Sequence, residues 1–265
     1  MLKRVLHLLL IFIIAALTGC AGLGGGSVQD GAGQALNLDQ LPAQEELPKF
    51  SAETPREGIP NGWNFYRIAP YKKNTVYRLE KYQGRTVLSA NSKTSASGLA
   101  VKLRPLQANN LWLQWEWKAI NAIPNVDNAN GPSDDAPLRI LVAFNGDKSK
   151  LSLKEKLNFE LANLISGQEL PYATLMYIWS GNTPVDTIIP NAYTSRIKMI
   201  VVDAGWDSLG EWHKHQRDIA ADYKRAYGEV PGEVIGIALL TDTDNTKSEA
   251  RAFYGDIELV RKNPK

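Results

Sequence analysis

The sequence predicts a mainly β protein, an antiparallel β-sandwich carrying two inserted helices. Three observations lead there. Ten segments combine period-two alternation with β-branched or aromatic residues, which is how strands with one buried face read. Turn-forming residues separate most of these segments. About 205 residues follow residue 58, ample for one buried core and common for a single sandwich. The chain carries no internal repeat.

The strands are expected at 63–69, 75–82, 85–90, 98–103, 111–119, 138–144, 173–179, 196–202, 233–241 and 250–260. Gln83-Gly84, the loop 125–132, Asn145-Gly146-Asp147, Gly181-Asn182 and Asp203-Ala204-Gly205 supply turns between them. Two segments have helical spacing instead. Residues 151–165 place Leu153, Leu157, Leu161 and Leu164 on one stripe that ends at Gly167. Residues 209–227 gather Trp212, Ile219, Tyr223 and Tyr227 near one face, before Gly228. Many short strands with two inserted helices point to a jelly roll.

Ahead of this domain lies an address. Lys3 and Arg4 precede a run from 5 to 17 that is apolar except for His7, too short for the roughly 20 residues a membrane span needs. A charged start and a short apolar stretch are the marks of a secretory signal, expected over residues 1–19. Leu17-Thr18-Gly19-Cys20 resembles the lipobox of bacterial lipoproteins. That resemblance implies cleavage before Cys20 and lipid on its sulfur. Cys20 is the only cysteine, so no intramolecular disulfide is available to explain it. Two or three acyl chains hold a protein stably to a membrane. Ala21 follows the cysteine where an Asp would mark inner-membrane retention, so the expected location is the outer membrane, facing the periplasm. Residues 20–58, with Gly22, Gly24, Gly25, Gly26 and Ser27 and then Pro42 and Pro48, read as a flexible tether, and 59–265 as the domain.

Charge excludes one class of partner. Thirty basic and twenty-eight acidic residues nearly cancel, and no basic run is interleaved with aromatics, so nucleic acid is not an expected partner. Seven Trp and ten Tyr suit either sandwich cores or sugar-stacking surfaces.

Four constellations carry candidate chemistry. In 111–118, alternation puts Leu113, Trp115 and Trp117 on one face, to fill the core or to form a sugar platform. Asp134-Asp135 leads into an apolar strand in which Arg139 alternates with Leu141 and Ala143, a row expected to face inward. A guanidinium there is costly unless paired, so Arg139 is either a buried ion-pair partner or a ligand-binding arginine. Asp242, Asp244 and Asn245, with Asp256 on the next strand, offer hard oxygen ligands for a structural calcium, or form an Asx-type turn without metal. The loop is not an EF-hand, since Lys247 stands where that motif needs Gly. Finally, the helix 209–227 carries Trp212, His213, His215, Arg217, Asp218, Asp222 and Arg225, with Asp218 and Asp222 on a shared face. There is no His-Glu-x-x-His zinc motif and no Gly-x-Ser-x-Gly nucleophile motif.

The chain resembles a bacterial family known as domain of unknown function 3047. The matching residues are Trp115-x-Trp117, Asp134-Asp135-Ala136 with Arg139, Leu170-Pro171 ahead of Tyr177-x-Trp179, and Trp212 with Arg217-Asp218 and Asp222-Tyr223. Two further runs, Thr241 to Thr246 and Tyr254-Gly255-Asp256-Ile257, carry it most strongly. The resemblance implies an exported, often lipid-anchored sandwich with an acidic and aromatic residue set. The final strand pair is also similar to carbohydrate-binding modules, which makes the expected sandwich galactose-binding-like.

These readings set three expectations of function. The first is a non-catalytic envelope or glycan-binding domain, with Arg139, Arg196, Trp179, Trp212, Arg217 and Tyr254 as ligand contacts and no cofactor beyond the candidate calcium. The second is a glycosidase-like hydrolase whose acids come from Asp134, Asp135, Asp218, Asp222 and Asp242. The third is a scaffold in an envelope protein complex, which requires an exposed apolar patch. Arg139 and Arg196, each among apolar strand neighbours, are expected to meet Asp134 or Asp135, Asp218 and Asp222 in one charged cluster.

Overall fold

Alternating side chains build two sheets around a shared apolar core. The computed structural model describes residues 41–166, 169–192 and 194–262, all within the compact unit Gln34–Lys265. The segment expected to be a signal peptide, Cys20 and the expected tether up to residue 40 lie outside the described residues. One sheet contains β1 (Arg56–Glu57), β3 (Val76–Tyr82), β4 (Arg85–Lys93), β6 (Leu111–Ala119), β11 (His213–Asp218) and β13 (Glu249–Arg261), in the order β1-β3-β4-β13-β6-β11. The other contains β2 (Asn64–Arg67), β5 (Ala96–Leu106), β7 (Ala136–Phe144), β8 (Ala173–Ser180), β9 (Ile188–Pro190), β10 (Ile197–Ala204) and β12 (Val234–Asp242), in the order β2-β5-β12-β7-β8-β10-β9. The result is the sandwich that the alternation predicts. One pairing departs from antiparallel: β8 and β10 run parallel.

The core takes the inner rows of both sheets. Leu113, Trp115 and Trp117 of β6 meet Leu138, Ile140, Val142 and Phe144 of β7, and Leu175, Tyr177 and Trp179 of β8. Trp115 and Trp117 of β6 are therefore core residues. Arg139, Leu141 and Ala143 occupy the opposite, outer row of β7, contrary to the inward row expected. Leu141 packs there with a second apolar group of Met176, Ile178, Ile189, Met199 and Val201.

Three further differences have physical causes. The helix expected over 209–227 is a strand and then a helix. His213–Asp218 pairs with β6, and only α2 (Ile219–Tyr227) is helical, started by Asp218 accepting from Ala221 N at 3.0 Å and ended by Gly228 at φ 73°. Both signals sat in the sequence, but the inner row of β11 is polar, so no apolar alternation marked it. The first helix, α1 (Leu153–Ser166), is present, opened by a Ser152–Glu155 capping box. Its leucine stripe does not pack inward: Leu153, Leu157 and Leu161 are 84%, 62% and 54% exposed, whereas Phe159 is buried. Among the described residues no helix is long and apolar enough to cross a membrane.

The last difference concerns the tether. Gln44 bridges Leu103, Phe50 is fully buried against Trp63 at 5.2 Å, and β1 adds a strand beside β3. The packed chain therefore begins before residue 59, because Leu47 and Phe50 are apolar residues that the sandwich can bury.

Candidate functional site

The predicted charges fall into separate, internally matched groups. Arg139 is almost wholly buried. Its Nε and Nη2 donate to Asp242 at 2.8 and 3.1 Å, and Nη2 also reaches the Asp134 carboxylate at 2.9 Å and the Asp134 carbonyl at 3.0 Å. Burial pushes the Asp242 carboxyl up to about 7, although the Arg139 charge pulls it down. Asp135 has other partners. It accepts from Asn245 N, Thr246 N and Thr246 Oγ1 at 3.2, 2.6 and 2.6 Å and so fastens the turn after β12.

Arg217 forms a two-pronged pair with Asp222, both contacts at 2.7 Å, and Tyr177 Oη donates to the same carboxylate at 3.0 Å. Asp218 is spent on the helix cap. Arg196 lies in a third group. It pairs with Glu229 at 2.7 Å, donates to Tyr223 Oη at 3.2 Å, and stacks 4.1 Å from the Tyr172 ring. The single cluster expected around Arg139 and Arg196 is thus three clusters, and only its Arg139–Asp134 contact is realised. Glu229, beyond the end of α2, takes the place assigned to Asp218 and Asp222.

The five acids named for a paired-acid hydrolase are each engaged by a partner. Asp134 and Asp242 share one arginine, Asp222 is held by another, and Asp135 and Asp218 bind backbone. No two of these acids face each other as free carboxylates, as glycoside hydrolysis requires.

Of the expected calcium ligands, Asp242 and Asp244 come together and Asn245 and Asp256 bind elsewhere. A bulge in β13 between Tyr254 and Ile257 turns Asp256 toward the N-terminal segment, where it accepts from Ser51 N and Oγ at 2.9 and 2.5 Å. Asn245 Nδ2 donates to Gly131 O at 2.7 Å. Asp135, Asp242 and Asp244 do approach one another, but Arg139 and Lys72 are the cations they meet. Tyr254 is core, its hydroxyl donating to Leu240 O at 2.7 Å. Trp212 is half-buried on the outer face, under Arg85 at 4.5 Å.

The remaining candidate, Trp179, is a fully buried wall of the one centre that sequence reading missed. In β10 a bulge sets both Val202 and Asp203 opposite Trp179, which turns Asp203 to the inner side. Across the sandwich, β11 presents His213 and His215 two residues apart, opposite Trp117 and Trp115 of β6 and on the same inner face. The three side chains meet. His213 Nδ1 lies 2.6 Å from Asp203 Oδ1, and His215 Nε2 lies 2.8 Å from Asp203 Oδ2. Trp117 Nε1 donates to Asp203 Oδ2 at 2.6 Å. Indoles hold both rings: His213 stacks 4.6 Å from Trp179, and His215 lies 4.8 Å from Trp115. The side chains of Asp203, His213 and His215 stay 11%, 20% and 14% exposed, so the centre is sheltered but reachable.

Burial alone would raise the Asp203 carboxyl. Hydrogen bonds from His215, His213 and Trp117, with the His215 charge, outweigh that and leave it below its ordinary value. Chemically, the centre offers a carboxylate and two imidazoles, groups that can hydrogen-bond hydroxyls, carry protons, or ligate a cation. The sequence signal was His213-x-His215, which has meaning only when read at strand spacing.

Solved structures share the broad outline. An exo-β-agarase is 12% identical with a TM-score of 0.36; the match covers 84% of this chain and 25% of that one, so this chain spans a quarter of that enzyme's length. A family 12 xyloglucanase from Bacillus licheniformis is 6% identical over 82% of this chain and 99% of that one, with a TM-score of 0.42. A cyclase from Fischerella sp. TAU, solved with 4-(1H-indol-3-yl)butan-2-one, is 11% identical over 84% and 100%, with a TM-score of 0.38. Likenesses this loose carry no residue role or activity over to this chain. A comparison with curated protein sequences finds no match. Residues 61–258, well over half of the sequence, match the family described as Protein of unknown function (DUF3047), and the chain belongs to that family.

Proposed function

We propose that this protein is a non-catalytic binding domain of the bacterial envelope, held to the outer membrane by lipid on Cys20 and facing the periplasm. Its ligand is a hydroxyl-rich envelope glycan, taken up at Asp203, His213 and His215. One observation carries this reading. The buried carboxylates Asp222 and Asp242 are each locked to an arginine, whereas Asp203 is held by two half-buried imidazoles and an indole N–H. Those partners can re-form around ligand hydroxyls without leaving a guanidinium stranded.

The test is a glycan array and a peptidoglycan pull-down with the full-length chain and a His213→Gln/His215→Gln variant. Retention by the parent, with loss in the variant, is expected. A folded parent that retains no saccharide sinks the reading. Lipid on Cys20 is checked separately by mass spectrometry of the N-terminal peptide.

A second reading, scaffold within an envelope complex, draws on the exposed Leu153, Leu157 and Leu161 stripe. Crosslinking in intact cells should then trap a protein at α1, and serines at those three leucines should abolish it.

A further inference from the structure

The geometry points to a divalent transition-metal site at Asp203, His213 and His215, which would take a zinc-class ion through His213 Nδ1, His215 Nε2 and the Asp203 carboxylate. The proposal rests on the same cleft as the ligand reading but not on the ligand being a glycan.

Donor type comes first. Two imidazoles and one carboxylate form a set suited to zinc and its first-row neighbours, with a fourth position left for water or ligand. Convergence comes second. The three donor atoms lie within 4.8 Å of one another. Zinc bonds of 2.0–2.1 Å in a tetrahedron set ligand atoms about 3.3 Å apart. The carboxylate contacts of 2.6 and 2.8 Å need to open by about 0.7 and 0.5 Å, within reach of small side-chain rotations.

Charge comes third. Among the described residues, the ion-pair contacts of Asp203 are the two histidines and include no arginine or lysine. A largely buried carboxylate whose partners are imidazoles and an indole lacks a permanent counter-charge, which is costly. A dication at this point supplies one.

Support around the donors is already in place. Trp117 Nε1 holds the second Asp203 oxygen, and Trp179, Trp115 and Trp117 fix the ring planes of both histidines. Such outer partners are what tune a metal site. Trp115 also keeps a buried Nε1–H with no acceptor beside His215. The β11–β6 ladder fixes the two imidazoles on one side, and the β10 bulge fixes the carboxylate on the other.

The test is titration of the full-length chain in detergent with Zn²⁺, Co²⁺, Ca²⁺ and Mg²⁺, with no saccharide present. One equivalent of Zn²⁺ is expected to bind saturably. Co²⁺ should give the visible bands of a nitrogen-ligated, low-coordinate ion, and Ca²⁺ and Mg²⁺ should not compete. The His213→Gln and His215→Gln variants should each weaken Zn²⁺ by more than the roughly 100-fold that loss of an outer partner costs. ¹⁵N imidazole spectra of the unaltered protein add a readout that survives a misfolded variant. Zn²⁺ should shift Nδ1 of one histidine and Nε2 of the other. Absence of saturable binding, equal affinity in folded variants, or unshifted ring nitrogens overturns the proposal. Metal binding without glycan binding would leave this site standing and remove only the ligand reading.

Discussion

Arginine 139 is the most consequential single side chain outside the cleft, and replacing it by methionine measures why. Arg139 is 2% exposed, and its guanidinium meets two carboxylates, one carbonyl, and the sulfurs of Met176 and Met199 at 3.5 and 3.4 Å. Methionine fits those sulfur-lined surroundings, so the steric penalty is small. What remains is Asp242, buried and without a counter-charge, and breaking such a pair costs about 3–5 kcal/mol. At 2–4 °C per kcal/mol for a domain of this size, the melting temperature should fall by roughly 6–20 °C.

The loss should also depend on pH. The Asp242 carboxyl sits at about 7 in the fold against an ordinary 3.8, so the folded state holds its proton more tightly. Its contribution is complete below the ordinary value and fades as pH rises through 7. Removing Arg139 raises the folded value further. The deficit of Arg139→Met against the parent should therefore be smallest near pH 5, where the carboxyl stays neutral with or without Arg139, and grow as pH rises through 7 to 8 and beyond. Urea unfolding at both pH values, with Asp242→Asn and the double variant, completes a thermodynamic cycle. A loss under 1 kcal/mol at pH 8, or the same loss at both pH values, would refute the buried-charge account.

Other substitutions test the boundaries of the fold. Phe50→Ala should cost about 3–5 kcal/mol in urea unfolding, because Phe50 is core; a neutral result would return residues 44–58 to the tether. Leu157→Ser, at a 62% exposed position, should change stability by no more than about 0.5 kcal/mol, and a larger drop would mean that the α1 stripe is covered. Gly98→Ala should destabilise by about 1–3 kcal/mol, since an added Cβ would sit 2.0 Å from the Leu239 carbonyl oxygen; an unchanged midpoint would contradict the β5–β12 register.

Much of the fold was legible because strands with one apolar row announce themselves. The prediction for 111–119 matches β6 residue for residue, and nine other segments fall on strands. What was hidden shares a cause. The inner row of β11 is His213, His215 and Arg217, so its alternation is polar against polar, and α2 beyond it drew the whole stretch into a helix. Likewise, Leu153, Leu157 and Leu161 have core-helix spacing, yet spacing reports only that leucines share a face, not what the face meets. The need of Arg139 for a partner followed from its apolar neighbours, and Asp134 was a correct choice. The partner of Arg196 was not legible, because Glu229 reaches it only after α2 turns the chain. Asp203 was hidden most completely: it reads as the first residue of an Asp-Ala-Gly turn, and no pattern in the sequence announces the bulge that aims it inward.

That bulge lets two consecutive residues of β10, Val202 and Asp203, serve the same inner face. One surplus residue in β10 lets Asp203 join Val202 there, beside the histidines. Deleting Val202 would restore plain alternation and still leave Asp203 opposite Trp179 on the inner row, at the loss of one core valine. A core valine and the carboxylate of the centre thus sit side by side on one face, which plain alternation cannot give.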